Sequence, residues 1–349
     1  MARRNLVVLL LLTCFILFTG ATFFWIFFSP TTMGNKDEVF TLKIRRGTSF
    51  DGILTLMLEQ GIIQRDTKIK MAAKILGWTD KLKAGKYEIR GGSSSYRLLK
   101  TLVQGDVAIV WVTIAEGKNA RQIASILKQK VEIDSAHFMQ LVNDSLYTRK
   151  LGIDAPSLEG FLFPETYGFY WGMKSETIIP VMVNQFKKQF NDTLRFRTKE
   201  LGFSVLELIT LASIIEGEVA LDSERALISA VYHNRLKKGI RLQADPTIQY
   251  IIEGGPRRLL KKDLEIDSPY NTYKYPGLPP GPINNPGLAS IQASLFPADV
   301  KYLYFVAKGD GSHIFSTSLQ EHLRAKSRFD VFRREVRKMK REGGIEGKS

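Results

Sequence analysis

Sulfur and metal chemistry have little to work with in this chain. There is one cysteine, Cys14, and it lies inside the first apolar run, so no intrachain disulfide and no cysteine-based metal site can form. The four histidines, His137, His233, His313 and His322, fall in no H-x-x-x-H or H-E-x-x-H spacing, which argues against a zinc hydrolase. Acidic residues are also scarce: 35 Asp and Glu face 50 Lys and Arg, a formal net charge of +15. That excess favours an anionic partner, be it nucleic acid, lipid or an acidic polymer, without choosing among them. Low-complexity tracts are missing, and 44% hydrophobic with 24% charged residues is ordinary globular composition. At 349 residues the chain has room for two or three domains.

What is present begins with Arg3 and Arg4, followed by an uncharged apolar stretch from Leu6 to Phe28. Its length of about 23 residues suffices to cross a hydrocarbon core of ~30 Å as a helix. A cleaved signal has a shorter apolar core and then a small-x-small site. Here Thr19-Gly20-Ala21 runs into Phe23, Phe24, Trp25, Phe27 and Phe28, an aromatic cluster of the kind found at membrane interfaces. The expectation is a retained anchor over residues 1–30. The leading arginines place the N-terminus in the cytoplasm and the remainder outside. A nucleic-acid partner is then not expected.

A pattern recurs three times. Ile44-x-x-Gly47-x-Ser49 leads to Ile53 and Leu54; Ile89-x-x-Gly92-x-Ser94 leads to Leu98 and Leu99; Ile114-x-x-Gly117-x-Asn119 leads to Ile123 and Ala124. Each copy predicts a strand, a glycine turn, a capping side chain and a helix. The first two copies resemble the LysM-like βα units of peptidoglycan-associated proteins, over residues 38–110. Further on, Val181 to Phe190 reads as a helix start. Ser204-x-x-Glu207 is a capping box, and it opens a segment apolar nearly all round. Asp222 or Ser223 reads as the cap of the next helix, which stops at Gly239. Lys301 to Val306 reads as a buried strand with His313 to Ser316 as its hairpin partner. A basic helix closes the chain, with nine Lys and Arg between Arg324 and Arg341.

The all-apolar helix ends in Glu216-Gly217-Glu218. A carboxyl at the edge of a buried helix loses hydration, its pKa rises, and it can then hold a proton near neutral pH for delivery to a leaving oxygen. Solvated carboxylates at a helix end are the alternative. Positions i and i+2 lie about 200° apart on a helix, so at most one faces a given cleft, and periodicity does not say which. Tyr270-Asn271-Thr272-Tyr273 and the Pro/Gly-rich loop after it suit carbohydrate, offering flat apolar faces with donors and acceptors. They suit a rigid structural loop equally well.

Together these motifs carry a resemblance. Leu211-Ala212-Ser213-Ile214-Ile215-Glu216-x-Glu218, Asn234-Arg235-Leu236, Arg241-Leu242-Gln243-x-Asp245-Pro246-Thr247, Tyr270-Asn271-Thr272-Tyr273 and Gly277-Leu278-Pro279-Pro280-Gly281-Pro282-Ile283 occur in series, with Tyr304-Phe305-Val306 and His313-x-Phe315 after them. They resemble the YceG-like family, the MltG endolytic peptidoglycan lytic transglycosylases. The resemblance implies an α+β protein: anchor, LysM-like subdomain (38–110), mixed α+β catalytic domain (111–325) and basic tail (326–349). It implies cleavage of the β-1,4 bond between N-acetylmuramic acid and N-acetylglucosamine within nascent strands, leaving 1,6-anhydro ends. It implies Glu218 as the acid/base and Glu216 as a supporting residue, with no cofactor or metal. Gln243, Asn271 and Tyr273 are expected to line the cleft, with Glu165 and Asp245 as further candidates. The partners implied are peptidoglycan strands, the inner membrane and the peptidoglycan synthases. A non-catalytic, membrane-anchored peptidoglycan-binding scaffold is the alternative. Two positions depart from the family pattern: Gly217 stands where a larger, often basic residue is expected, and the basic tail is longer.

The anchor reading makes a topological prediction. A reporter active only outside the cytoplasm, fused after Ser349, is expected to be active, with the full-length protein in the membrane fraction. A mature N-terminus near Ala21 would instead mean a cleaved signal.

Overall fold

The computed structural model describes residues 2–255 and 257–343, so Met1 and residues 344–349, at the ends of the expected anchor and tail, lie outside it. Fourteen helices and six strands are described. The first part runs α1 (Ala2–Phe27), β1 (Val39–Ile44), α2 (Phe50–Glu59), α3 (Thr67–Leu76), β2 (Gly85–Arg90), α4 (Ser95–Gln104) and β3 (Ile109–Thr113). Next come α5 (Ala120–Val131), α6 (Ser135–Val142), α7 (Ser145–Lys150), β4 (Thr166–Tyr170), α8 (Ser175–Gln189), α9 (Asp192–Glu200) and α10 (Val205–Glu218). The last part is α11 (Arg225–Lys237), α12 (Asp245–Ile251), α13 (Leu288–Leu295), β5 (Tyr304–Ala307), β6 (His313–Ser316) and α14 (Leu319–Gly343). The strands form three two-stranded sheets, β1–β2, β3–β4 and β5–β6, giving the mixed α+β architecture expected.

The chain divides into two compact units. The first holds residues 1–112, 129–133 and 168–174; the second holds 113–128, 134–167 and 175–349. In the first, β1 and β2 pair antiparallel with Val39 opposite Arg90 and Ile44 opposite Gly85. Their inner faces meet α2, α3 and α4 in one core built on Leu42, Ile44, Ile53, Leu54, Tyr87, Leu98 and Leu99. Helix α1 is long and apolar enough over Arg3–Phe27 to cross a membrane, with mean hydropathy 2.5. Its last turn packs into the fold: Ile26 and Phe27 are buried in this same core. Lys68 follows them, donating to the Ser29 hydroxyl (3.0 Å) and the Pro30 carbonyl (2.7 Å).

The three sequence repeats fold alike at their turns. Gly47, Gly92 and Gly117 take φ of 82°, 66° and 72°, in the left-handed region that favours glycine. Ser49 and Ser94 cap α2 and α4 with side-chain oxygens that accept from Gly52 and Arg97. Asn119 and Gln122 cap α5 reciprocally, each amide donating to the other's side-chain oxygen at 2.9 and 3.1 Å.

In the second unit α10 is the central element. Every residue from Leu208 to Ile215 is buried, as a helix apolar on all sides requires. Removing each large apolar side chain from water contributes roughly 1.5–3 kcal/mol. The capping box forms as expected: the Ser204 amide donates to Glu207 Oε2 (2.8 Å) and the Glu207 amide to Ser204 Oγ (3.2 Å). Three local expectations are corrected. Helix α8 starts at Ser175, not Val181; Pro180 lies inside it, and a proline reads in sequence as a helix start. A 3-10 turn at Asp222–Glu224 precedes α11, with no side-chain cap. Strand β5 begins at Tyr304, not Lys301, and is half-buried; its antiparallel pairing with β6 is as expected.

The capping box gives a stability prediction. Ser204→Ala is expected to lower the unfolding free energy of the detergent-solubilised protein by about 1 kcal/mol, and Ser204→Asp to leave it nearly unchanged. Urea midpoints measure both. An alanine variant as stable as the parent would mean that the cap carries no weight.

Candidate active site

Helix α10 delivers Glu218 to the wall of a cavity of about 650 Å³. Gly217, Asp245, Pro246, Tyr250 and Asn284 share that wall, with Asn119 and Arg121 from the start of α5. The carboxyl of Glu218 accepts from the Tyr232 hydroxyl at 2.9 Å. Tyr232 stands on α11, buried, with its ring edge-on to Phe305. Burial pushes the Glu218 carboxyl up to about 7, against the pull of the Tyr232 hydrogen bond; the charge of Asp245 raises it further, while Arg235 and the Asp245 amide oppose. A glutamic acid so placed holds its proton near neutral pH and can release it there.

Arg235 is the buried cation behind this group. It donates to the carbonyls of Leu303 (2.6 Å) and Leu242 (2.7 Å), and its guanidinium lies 5.2 Å from the Tyr304 ring centre. It thereby ties α11 to the loop that leads into α12 and to β5. Glu216 turns to different partners: Arg225 (3.3 Å) and the Gly287 amide (3.1 Å). Arg225 in turn bonds Asp222 (2.6 Å) and Ser290. The two glutamates of one helical end are thus separated, as the 200° rotation between i and i+2 requires.

The other sequence candidates are placed as follows. Asp245 opens α12 and lines the cavity with Glu218. The Tyr273 hydroxyl donates to the Asp245 carboxylate. Asn271 is fully buried, and its side chain is consumed by the loop: it donates to the carbonyls of Leu264 (3.0 Å) and Ile266 (2.7 Å) and accepts from the Tyr273 amide (2.9 Å). Gln243 is exposed, with a left-handed φ of 49°, and its amide donates to the Thr272 carbonyl (3.1 Å). Glu165 is also exposed; it accepts from the Thr166 amide and from Gln185. Asn271, Gln243, Tyr273 and Glu165 are not among the residues that line the cavity; Tyr273 reaches it only through Asp245.

Sequence reasoning singled out neither Tyr232 nor Asn284 and Asn285, which follow the Pro/Gly-rich motif along α10. There, Ser213 accepts from the Ile283 amide (3.1 Å), and its carbonyl accepts from Asn284 Nδ2 (2.8 Å). Asn285, fully buried, accepts from the Leu162 amide (2.8 Å) and donates to the Lys118 carbonyl (2.9 Å) and to Glu159 (2.9 Å). Glu159 also accepts from the Ala120 amide with both oxygens. Gly217 is tightly constrained. A Cβ there would lie 2.6 Å from Cβ and 2.8 Å from Cγ of Pro246, which gives the departure at this position a steric cause. Among the described residues no cluster of three His, Cys, Asp or Glu side chains is placed to hold a metal.

Glu159 generates a pH prediction. Burial pushes its carboxyl up to about 7 from an ordinary 4.5, despite the Ala120 and Asn285 hydrogen bonds. A raised folded-state pKa means stability that is complete below about 4.5 and is lost as pH rises to about 7, because the unfolded chain releases the proton first. The loss is on the order of 3 kcal/mol at most. Glu159→Gln cannot ionise, so its urea midpoint should fall less between pH 4.5 and 8 than that of the parent. Identical slopes would refute the assignment.

Comparison with known proteins gives the family. A model of the YceG-like family matches residues 42–328. The endolytic murein transglycosylase of Bacillus subtilis (strain 168) is 33% identical over 316 residues, 86% of this chain and 87% of that protein. The endolytic murein transglycosylase of Streptococcus pneumoniae (strain R6) is 31% identical over 320 residues, 82% of this chain but only 57% of that longer protein. A crystal structure of a yceG-like protein from Listeria monocytogenes, 33% identical, matches with a TM-score of 0.58 and covers 82% of this chain and 99% of that one. With a family match that spans most of its length and relatives above 30% identity, this chain belongs to the YceG-like family.

Proposed function

We propose that the chain is an endolytic murein transglycosylase, the activity for which its Bacillus and Streptococcus relatives are named. The observation that carries the reading is Glu218: a glutamic acid at the end of a buried helix, facing a cavity, with its carboxyl pushed up to about 7. Such a group protonates the oxygen between N-acetylmuramic acid and N-acetylglucosamine as positive charge develops at C1. It then accepts the proton of the muramic C6 hydroxyl, which closes onto C1 and leaves a 1,6-anhydro end. One carboxyl serves both steps, so water is not a reactant and no second nucleophile is needed, unlike the usual glycosidase pair. A scaffold that only bound peptidoglycan would have no use for a desolvated acid in a cavity.

The rest of the chain is read around this chemistry. Helix α1 anchors the protein in the inner membrane, with the soluble part on the outer side where murein is built and where the synthases act. Residues 38–110 form a LysM-like subdomain; the order β1-α2-α3-β2, with its strands antiparallel, supports this. Residues 111–325 form the catalytic domain and 326–349 the basic tail.

Glu218→Gln keeps the shape of the side chain but cannot cycle a proton. Strand cleavage is expected to fall by at least ~10²–10⁴-fold, with folding intact. Glu216→Gln should cost less, because Glu216 is engaged with Arg225 and Gly287. Mass spectrometry of products from purified glycan strands should show anhydro-muramic ends. Reducing muramic ends would indicate attack by water and a muramidase, and a fully active Glu218→Gln would remove Glu218 from the mechanism.

A further inference from the structure

Three carboxylates line the cavity, Glu218, Asp245 and Glu253; the first two stand at adjoining helix ends, and each of these is held by its own tyrosine. Tyr232 donates to Glu218, and Tyr273 donates to Asp245. The two are close neighbours: the Asp245 amide itself hydrogen-bonds Glu218. Pro246, next in sequence, presses on Gly217, next to Glu218, so the end of α10 and the start of α12 are locked in register. Arg235 lies behind both tyrosines and Glu218, and its own hydrogen bonds run to backbone carbonyls. The two carboxylates differ in surroundings. Glu218 is half-buried at the end of α10, whereas Asp245 is exposed, and both line the cavity.

We infer that Asp245 is the charge-stabilising partner of Glu218, its carboxylate facing the positive charge that develops on the sugar when the glycosidic bond opens. The inference rests on the reading proposed above and deepens it. In that reaction the proton leaves Glu218 for the bridging oxygen, and the C1–O bond breaks with its electron pair going to the departing N-acetylglucosamine hydroxyl. C1 and the ring oxygen are left sharing one positive charge. The C6 oxygen then bonds to C1 and its proton returns to Glu218, so nothing beyond the strand is consumed. Between the two steps the cation is stabilised by a fixed negative charge, because water is displaced from the cavity when sugar fills it. A preformed charge in a water-poor site is worth far more there than in solution. Tyr273 holds one carboxylate oxygen, which fixes the carboxylate and leaves the second oxygen for the sugar. As long as that charge is present it also disfavours a second charge on Glu218, so the acid keeps its proton to higher pH.

The competing account is that Asp245 merely latches Tyr273 and its loop. Asp245→Asn and Tyr273→Phe separate the two, because asparagine still accepts from the tyrosine whereas phenylalanine abolishes the latch and keeps the charge. With full-length protein and purified glycan strands, Asp245→Asn is expected to lower kcat at least 100-fold with KM within about threefold. The upper limb of its kcat–pH profile should move to lower pH, since Glu218 loses a like charge but keeps Tyr232, Arg235 and Tyr273 around it. Tyr273→Phe should cost less than tenfold and leave that limb in place. Equal losses in the two variants with an unmoved limb would make Asp245 a latch and overturn the inference. So would an Asp245→Asn enzyme of near-parental kcat beside an inactive Glu218→Gln. A fully active Glu218→Gln would instead bring down the assignment of the acid, and this inference with it.

Discussion

The candidate site depends on one helix being unable to touch water. From Leu208 to Ile215 α10 is apolar on every side, so the fold must surround it. The carboxyl three residues past Ile215 inherits that dry environment. Burial is the largest influence on Glu218, outweighing the hydrogen bond from Tyr232 that would draw its pKa back down. The same packing orders the supports. Ser213, inside the buried run, spends both its hydroxyl and its carbonyl on Ile283 and Asn284, and so draws the Pro/Gly-rich segment against the helix. Asn285 then carries the restraint on to Lys118 and Glu159 at the start of α5. A hydrophobic requirement on one element thus sets the walls of a polar site.

Much of the scaffold was legible in the sequence because its determinants are local. A cap, a glycine turn and an apolar pair lie within ten residues of one another, so Ser49, Ser94, Asn119 and Ser204 announce their helices unaided. The β5–β6 hairpin is legible for the same reason. Where a residue type has two common uses, sequence misleads: Pro180 can begin a helix or ride inside one, and here it does the latter. The motifs also pointed to the end of α10 as the candidate site, through the family resemblance.

What was not legible is long-range partnership. Tyr232 reaches Glu218 across two helices, and Asn285 reaches Glu159 from 126 residues away. No periodicity encodes either contact. Asn271 shows the limit from the other side. A polar residue in a tyrosine-rich loop suits a sugar or a loop equally, and here the carbonyls of Leu264 and Ile266 take up its amide. Gln243, whose type suits hydrogen bonding to a sugar, instead occupies a left-handed turn that brings its backbone to Thr272.

The contact of Gly217 with Pro246 bears on how such a site can change through descent. With a proline ring where a Cβ would have to go, the two positions cannot vary independently. A family member that carries a bulky residue at 217 beside a proline at 246 must seat that proline, and with it the start of α12, further from the end of α10. In a chain like this one α12 must shift before a side chain becomes tolerable at 217. The spacing between the two helix ends and the residue at 217 are therefore bound to change together.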